Sequence, residues 1–487
     1  MRTLLIATAL LWGCIPSKSQ KTERITSSFE LPTRRPPKIK PAPKPGFIAF
    51  DSFEDSLVLD AQSLSAQDAA DSFYLVGCDR SNIDEELEEF KRGVDKAVNM
   101  LSTERFLEPT TAIGPSGCIF RISQDAYGIS DIELDKIAAR GLFTVVSNTT
   151  RGDTIKFYLQ RSVTWMFADD FFLTSFEADV LTDHSCDTYC DITEQAIGRI
   201  AFFAQQGINP QNEYNNENVF VGGTNDSPIA FGSRLIEHFE SDNGFLTATA
   251  DSSLGQPDSI NQNPFTLEES LANSNGVGAP ITNKIFKPVA REYIGVLNNG
   301  LQLFRLEDAA TGLAVSAAPA DVVQDTRGDG LEQVIRLGGC AGCHSKGTIG
   351  YTDELADHIA SRSNFNSDEK ELSRIFNRPV PIAQILSRID EGQSRAVAQL
   401  GIQNRDRDPF NARLITPARK PYNSVKAAAK FFMTDQQYRD CLESGNDIAQ
   451  NLGAHLGGAQ NTTTLTVLHD NFQGVIEECG LFQDDEI

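Results

Sequence analysis

The chain has 487 residues, 40% of them hydrophobic, and carries 43 basic against 67 acidic side chains, a formal net charge of −24 at pH 7. A surface this acidic repels nucleic acid, and no basic stripe with interleaved aromatics offsets it; it can steer a basic redox partner into contact, and solubility alone is the other reading of the charge. The length exceeds what one hydrophobic core organises, so two or three domains are expected.

At the start, Arg2 precedes an apolar run, Leu4 to Trp12, too short to span a bilayer and of the size of a signal-peptide core. The run ends in Leu11-Trp12-Gly13-Cys14. This resembles the lipobox of bacterial lipoproteins, whose cysteine is acylated and becomes the first residue of the mature chain. Trp12 stands where a small residue is usual; an ordinary cleaved signal peptide, leaving Cys14 unmodified, is the alternative. Residues 1–13 are therefore predicted to be a lipoprotein signal peptide and Cys14 the membrane anchor. Residues 14–46 are rich in proline, poor in apolar side chains and locally basic, which predicts an extended, solvated tether; its basic character also suits a segment near anionic headgroups. No other stretch approaches 18 consecutive apolar residues.

Residues 47–206 read as an α+β domain. Residues 82–101 are its clearest helix: Asn82 can cap it, acids fill the first turns, and Leu87, Phe90, Val94, Val98 and Leu101 recur at helical spacing. Residues 117–123 alternate as a strand does. Residues 143–160 hold two β-rich runs around a Gly-Asp turn. Residues 163–206 are predicted to be mostly helical. Residues 207–330 read as a loop-rich, β-containing middle region, irregular over 208–285 where Asn, Ser and Gly abound. Residues 331–487 read as a mainly helical module. Helix starts are predicted at Thr352-Asp353-Glu354 and Ser367-Asp368-Glu369, a capping box at Thr434 to Gln437, and a last amphipathic helix over 466–479.

The chemistry-bearing motif opens that module. Cys340-Ala341-Gly342-Cys343-His344 is the C-x-x-C-H pattern of covalent haem attachment. Two thiols on one tight turn match the two vinyl groups along one porphyrin edge, and the adjacent imidazole supplies the proximal iron ligand. One covalent haem c is therefore predicted, held by Cys340, Cys343 and His344. A disulfide beside a bystander histidine, or half of a zinc site, are the alternatives. Zinc needs a second ligand pair, and the nearest one, around His184, Cys186 and Cys190, lies far upstream. Setting aside Cys14, Cys340 and Cys343 leaves Cys78, Cys118, Cys186, Cys190, Cys441 and Cys479 from the nine cysteines. An even number in an exported chain suits disulfides, and proximity in sequence favours Cys78–Cys118, Cys186–Cys190 and Cys441–Cys479.

Several segments, in order, resemble a poorly characterised family of exported bacterial proteins of deltaproteobacterial and planctomycete type with one late haem motif. They are FKRGVDKAVNMLS (90–102), TAIGPSGCIFRISQDAYGIS (111–130), FGSRLIEHF (231–239), VLNNGLQLFRLEDAATG (296–312), YTDELADHI (351–359) and the C-terminal stretches around 424–442 and 453–482. The resemblance spans most of residues 60 to 482. It implies haem binding and electron transfer and names no substrate; the six further cysteines are not typical of it.

The expected function is a lipid-anchored single-haem c-type cytochrome, transferring electrons in the periplasm or at the outer membrane. Ile15 after Cys14, in place of an aspartate, favours the outer membrane. Two other readings stand beside it: a haem peroxidase or oxidase with an open sixth coordination position, and a partner-binding envelope lipoprotein with an auxiliary haem. The sixth ligand separates the first two. His358, in the family-like DELADHI, is the first candidate and Met433 the second; His455 and His469 follow. His238, in the LIEHF stretch, reads as structural. The Arg-Gly-Asp tripeptides at 151–153 and 327–329 are explained by turns, and 325–332 lacks a full calcium-ligand register. No phosphate loop, nucleophile elbow or H-E-x-x-H motif occurs.

Overall fold

In the computed structural model, the residues described are 50–77, 84–132, 164–168, 198–216, 218–224, 234–251, 288–315, 338–344, 347–354, 382–402, 409–415 and 435–444, with single positions between them. Helices and sheets are mixed, as an α+β chain requires. Residues from Lys38 to Ile487 form one compact unit.

The first part opens with helices α1 (Phe50–Ser63) and α2 (Ala66–Ala70). Ser65 caps α2, accepting the Asp68 N–H at 3.1 Å. Strand β1 (Ser72–Val76) follows, then helix α3 (Asp84–Leu101), strands β2 (Thr111–Ile113) and β3 (Ile119–Ser123), the short helix α4 (Gln124–Tyr127) and strand β4 (Thr164–Phe167). The strands form a sheet in the order β2-β3-β1-β4, with β1 antiparallel to β3 and parallel to β4. The predicted apolar stripe of α3 is the face that packs: Phe90, Val94, Val98 and Leu101 are buried and Leu87 is partly buried against them. Strand β3 lies where alternation predicted one. Strand β4 corrects the expectation that residues 163–206 begin as helix. Its Thr-Trp-Met-Phe run is rich in β-favouring side chains and is completed by pairing with β1, a partner about ninety positions earlier that helical spacing does not register.

Helices α5 (Arg199–Gln205) and α6 (Pro210–Asn215) lead into a second sheet. Its strands are β5 (Phe220–Thr224), β6 (Arg234–Ser241), β7 (Gly244–Asp251), β8 (Ala290–Val296), β9 (Gln302–Asp308) and β10 (Leu313–Val315), each antiparallel to the next in chain order. Over 220–224 and 234–251 this up-and-down meander replaces the irregular structure expected over 208–285; residues 225–233 and 252–285 lie outside the described residues. The strands are buried on both faces, so they lack the apolar–polar alternation of a half-exposed sheet, and ionic side chains interrupt the apolar runs.

Register fixes the two faces. One carries Leu235, Glu237, Phe239, Leu246, Ala248, Arg291, Tyr293, Arg305 and Glu307. Helix α5 covers it, with the Phe202 ring 5.4 Å from Tyr293 and the Phe203 ring 5.3 Å from Phe239. The other carries Arg234, Ile236, His238, Thr247, Asp251, Glu292, Ile294, Phe304 and Leu306. The C-x-x-C-H segment lies against this second face. Asn299 Nδ2 donates to the Asn99 carbonyl at 2.7 Å, tying the β8–β9 turn to the end of α3, and one contiguous core runs through both sheets.

The C-terminal part contributes helices α7 (Gly338–Cys343), α8 (Ile382–Gln399) and α9 (Asp435–Ser444), with a π-helical turn at Phe410–Ile415 packed on α3. Helix α9 begins where the capping box predicts. No described helix is long and apolar enough to cross a membrane.

Candidate functional site

Helix α7 is six residues long and holds Cys340 and Cys343 on its last turn, with Cys340 buried and Cys343 half-buried. Neither is in a disulfide. The His344 N–H donates to the Cys340 carbonyl at 2.8 Å, continuing the helical pattern into the histidine. The Gly347 N–H then donates back to the His344 carbonyl at 2.9 Å, closing a turn. Gly347 has φ of 105°, a conformation glycine tolerates and side-chain-bearing residues resist. That turn points the Gly347 carbonyl at His344 Nδ1, 3.3 Å away.

A carbonyl oxygen only accepts, so the contact requires the proton on Nδ1. In the neutral imidazole the lone pair then resides on Nε2. Nε2 is buried and has no hydrogen-bond partner. Its nearest charged neighbour is Glu292 Oε1, at 3.6 Å, too far for a hydrogen bond. The ring also rests on Phe304, centroids 6.1 Å apart. Orientation through Nδ1 by a backbone carbonyl, with Nε2 left as donor, is the usual disposition of a metal-ligating histidine.

Glu292 stands at the junction. Burial alone would raise its pKa, but the His344 ring in its charged form, Arg234 and the hydrogen-bonded Cys340 thiol together bring it down to about 2. Arg234 grips Asp251 through both ends of its fork, Nε to Oδ1 at 2.6 Å and Nη2 to Oδ2 at 2.9 Å, and lies 3.8 Å from Glu292. Burial opposes the charge on Arg234, and Asp251 and Glu292 outweigh it. The C-x-x-C-H turn is thereby seated on a chain of charges, Asp251, Arg234 and Glu292, on strands β6, β7 and β8.

Further along the segment, Tyr351 stacks on His238, with ring planes 20° apart, and its hydroxyl lies 3.3 Å from His238 Nε2. His238 Nδ1 lies 2.9 Å from Thr247 Oγ1. Both nitrogens of His238 are thus occupied. Asp353, expected only to begin a helix, also accepts the Gly223 N–H at 3.1 Å.

Cys340 and Cys343 lie on helix α7, and His344 directly follows it. Cys118 is buried, and Cys441 lies on helix α9. His358, Met433, His455, His469, Cys14, Cys78, Cys479, His184, Cys186 and Cys190 lie outside the described residues, as do residues 143–160 and 325–332. Glu292, Arg234 and Asp251 were not anticipated. Their only trace in sequence is charge inside strands otherwise made of buried residues. Among the described residues, no group of three or more His, Cys, Asp and Glu side chains is arranged to hold a bare metal ion. Two thiols outside any disulfide and an imidazole oriented through Nδ1 are the side-chain types that covalent haem attachment uses. No protein-family model, curated protein or solved structure matches this chain.

Proposed function

We propose that the chain is a single-haem c-type cytochrome, anchored to the bacterial envelope by lipid on Cys14, that transfers electrons in the periplasm or at the outer membrane. The observation that carries the reading is His344: its Nδ1 is held by the Gly347 carbonyl while its buried Nε2 has no hydrogen-bond partner, immediately after two thiols spaced for attachment. In this reading Cys340 and Cys343 fix the cofactor covalently, His344 supplies the proximal nitrogen, and Glu292 with Arg234 seats the turn on the sheet. A bound haem supplies one-electron chemistry. Disulfides at the cysteine pairs expected from the sequence would suit an oxidising compartment, and so fit export. Residues 331–487 would then be the cytochrome-like module, resting on the middle sheet rather than standing apart from it. The peroxidase reading differs only at the sixth position, for which His358 and Met433 are the candidates.

The test is a denaturing gel of protein exported from a host with haem maturation, stained for haem peroxidase activity. A stained band is expected at about 53 kDa, the size of the chain, and none from the Cys340→Ser, Cys343→Ser double variant. An unstained wild-type band rejects the proposal. Low-spin spectra converted to high spin by His358→Ala support a carrier with that ligand. Wild-type protein that is already high spin and reacts with peroxide replaces the carrier with the enzyme.

A further inference from the structure

Past the His344 turn the chain lays a short strap on strands β5 and β6 of the second sheet. Tyr351 anchors it. Its ring stacks on His238 with planes 20° apart, and its hydroxyl lies 3.3 Å from His238 Nε2. The hydroxyl also fills a notch at Gly222, where a Cβ would meet that oxygen at 2.6 Å. Two residues on, Asp353 Oδ1 accepts the Gly223 N–H at 3.1 Å. Gly222 and Gly223 belong to β5, the strand at one end of the sheet. Gly350, directly before Tyr351, is unpacked: a Cβ there would meet nothing within 4 Å.

The floor under Tyr351 is His238, which is fully buried. Its nitrogens meet hydroxyls, Thr247 Oγ1 at 2.9 Å from Nδ1 and Tyr351 at Nε2. A neutral ring satisfies both, donating from one nitrogen and accepting at the other. A protonated ring must donate from both, and its charge would be sealed from water with no carboxylate bonded to it. Charged groups do surround it. Arg234 and Glu240 share its face of β6, Asp251 the same face of β7, and Tyr351 and Asp353 come from the strap. Helix α8, which also touches β7, carries Arg388, Asp390, Glu391 and Arg395. Burial, rather than any of these charges, is what lowers the His238 pKa to about 4.

We propose that residues 350–354 are an acid-released strap: over a neutral His238 they clasp β5 and β6, and a proton on His238 drives them off while the sheet and helix α7 stay folded. Gly350 is the hinge, so the Gly347 turn and His344 keep their seat. The clasped form excludes a proton that the open form accepts. Clasping is therefore complete above about pH 6.5 and is lost as pH falls toward about 4. Opening breaks few contacts, so it costs less than unfolding the sheet. Release bares the Gly223 N–H on the outermost strand. No bound group enters the device, so it stands independently of haem.

Hydrogen exchange of the full chain tests this, read as protection factors so that the intrinsic pH dependence of amide exchange is divided out. Between about pH 7 and about pH 4.5, protection of Gly223 and of residues 351–354 should fall about 60-fold, the factor for a histidine whose pKa rises from about 4 to about 6.5 on opening. Amides of the β6–β7 and β7–β8 ladders should keep their protection over the same range. His238→Gln should abolish the pH response of the strap. Gly222→Ala crowds the Tyr351 hydroxyl and should lower protection at every pH while leaving the response to acid intact. Asp353→Asn removes the strap's own carboxylate and should also leave that response intact. Should His238→Gln not fold, Asp353→Asn decides, because an acid response that disappears there belongs to the carboxylate and overturns the proposal. A strap that opens only together with the ladders, a pH-independent strap, or an unchanged response in His238→Gln overturns it as well.

Discussion

His238 and His344 show how the same side chain takes two roles through what its nitrogens touch. His238 is fully buried, with Thr247 on one nitrogen and Tyr351 on the other. Nothing is left to bind a ligand, which agrees with its structural reading from sequence. Burial lowers its pKa from 6.5 to about 4. Below pH 6.5 the unfolded chain binds a proton that the folded chain refuses until about pH 4. Stability must therefore fall as pH drops through that window, by up to about 3 kcal/mol from this residue. Denaturant titrations at about pH 7 and about pH 4.5 should show that loss, and His238→Gln should flatten it; an unchanged pH slope in the variant would exclude His238 as the source. His344 keeps one nitrogen unspent. That difference was half legible: the cysteine spacing marked His344, whereas the clamp by Gly347 and the approach of Glu292 depend on a turn conformation and on strand β8, about fifty positions upstream.

Among the elements, α3 was legible because one apolar stripe of regular period faces one core. Strand β3 was legible by alternation. Strands β5 to β7 were not, because Glu237, His238, Thr247 and Asp251 sit at buried positions where a sequence reading expects apolar residues. What compensates them is supplied by other strands and by the C-terminal segment. Helix α8 carries a visible signal, with Ile385, Ile389, Ala396 and Leu400 buried at helical spacing, interrupted in its middle by Gly392 and Gln393. Helix α3 also makes a prediction at Gly93. An alanine there would improve helix propensity by about 1 kcal/mol, but its Cβ would meet the Pro409 carbonyl oxygen at 2.8 Å. Backbone cannot yield as a side-chain tip does, so overpacking should outweigh propensity and Gly93→Ala should be destabilising by about 1–3 kcal/mol. A midpoint of denaturation equal to or above that of wild type would show that the π-helical turn at Phe410–Ile415 moves aside without cost.

For the whole molecule, the sequence suggested successive domains, with the helical module beginning at residue 331. The structure makes the middle sheet depend on that module. Helix α5 covers one face, and residues 338–353 lie across the other, placing His344 beside Glu292 and Phe304, and Tyr351 beside His238. Ile236, Ile294, Phe304 and Leu306 are each 5% exposed or less on that second face. Burial of such a side chain contributes about 1.5–3 kcal/mol, so four of them together match the entire stability of an ordinary domain, about 5–15 kcal/mol. Glu292 and Arg234 would in addition lose the C-terminal groups that shield them. A fragment of residues 47–330 should therefore fail to unfold cooperatively and should bind an apolar dye. The full chain carrying Cys340→Ser and Cys343→Ser retains the covering segment without any attached group, and should keep a cooperative transition. The comparison separates the polypeptide's contribution from that of a cofactor. If 47–330 instead melts cooperatively at the full chain's temperature with no dye binding, the C-x-x-C-H segment is a dispensable cover, and the haem turn is an appendage of the sheet rather than part of its core.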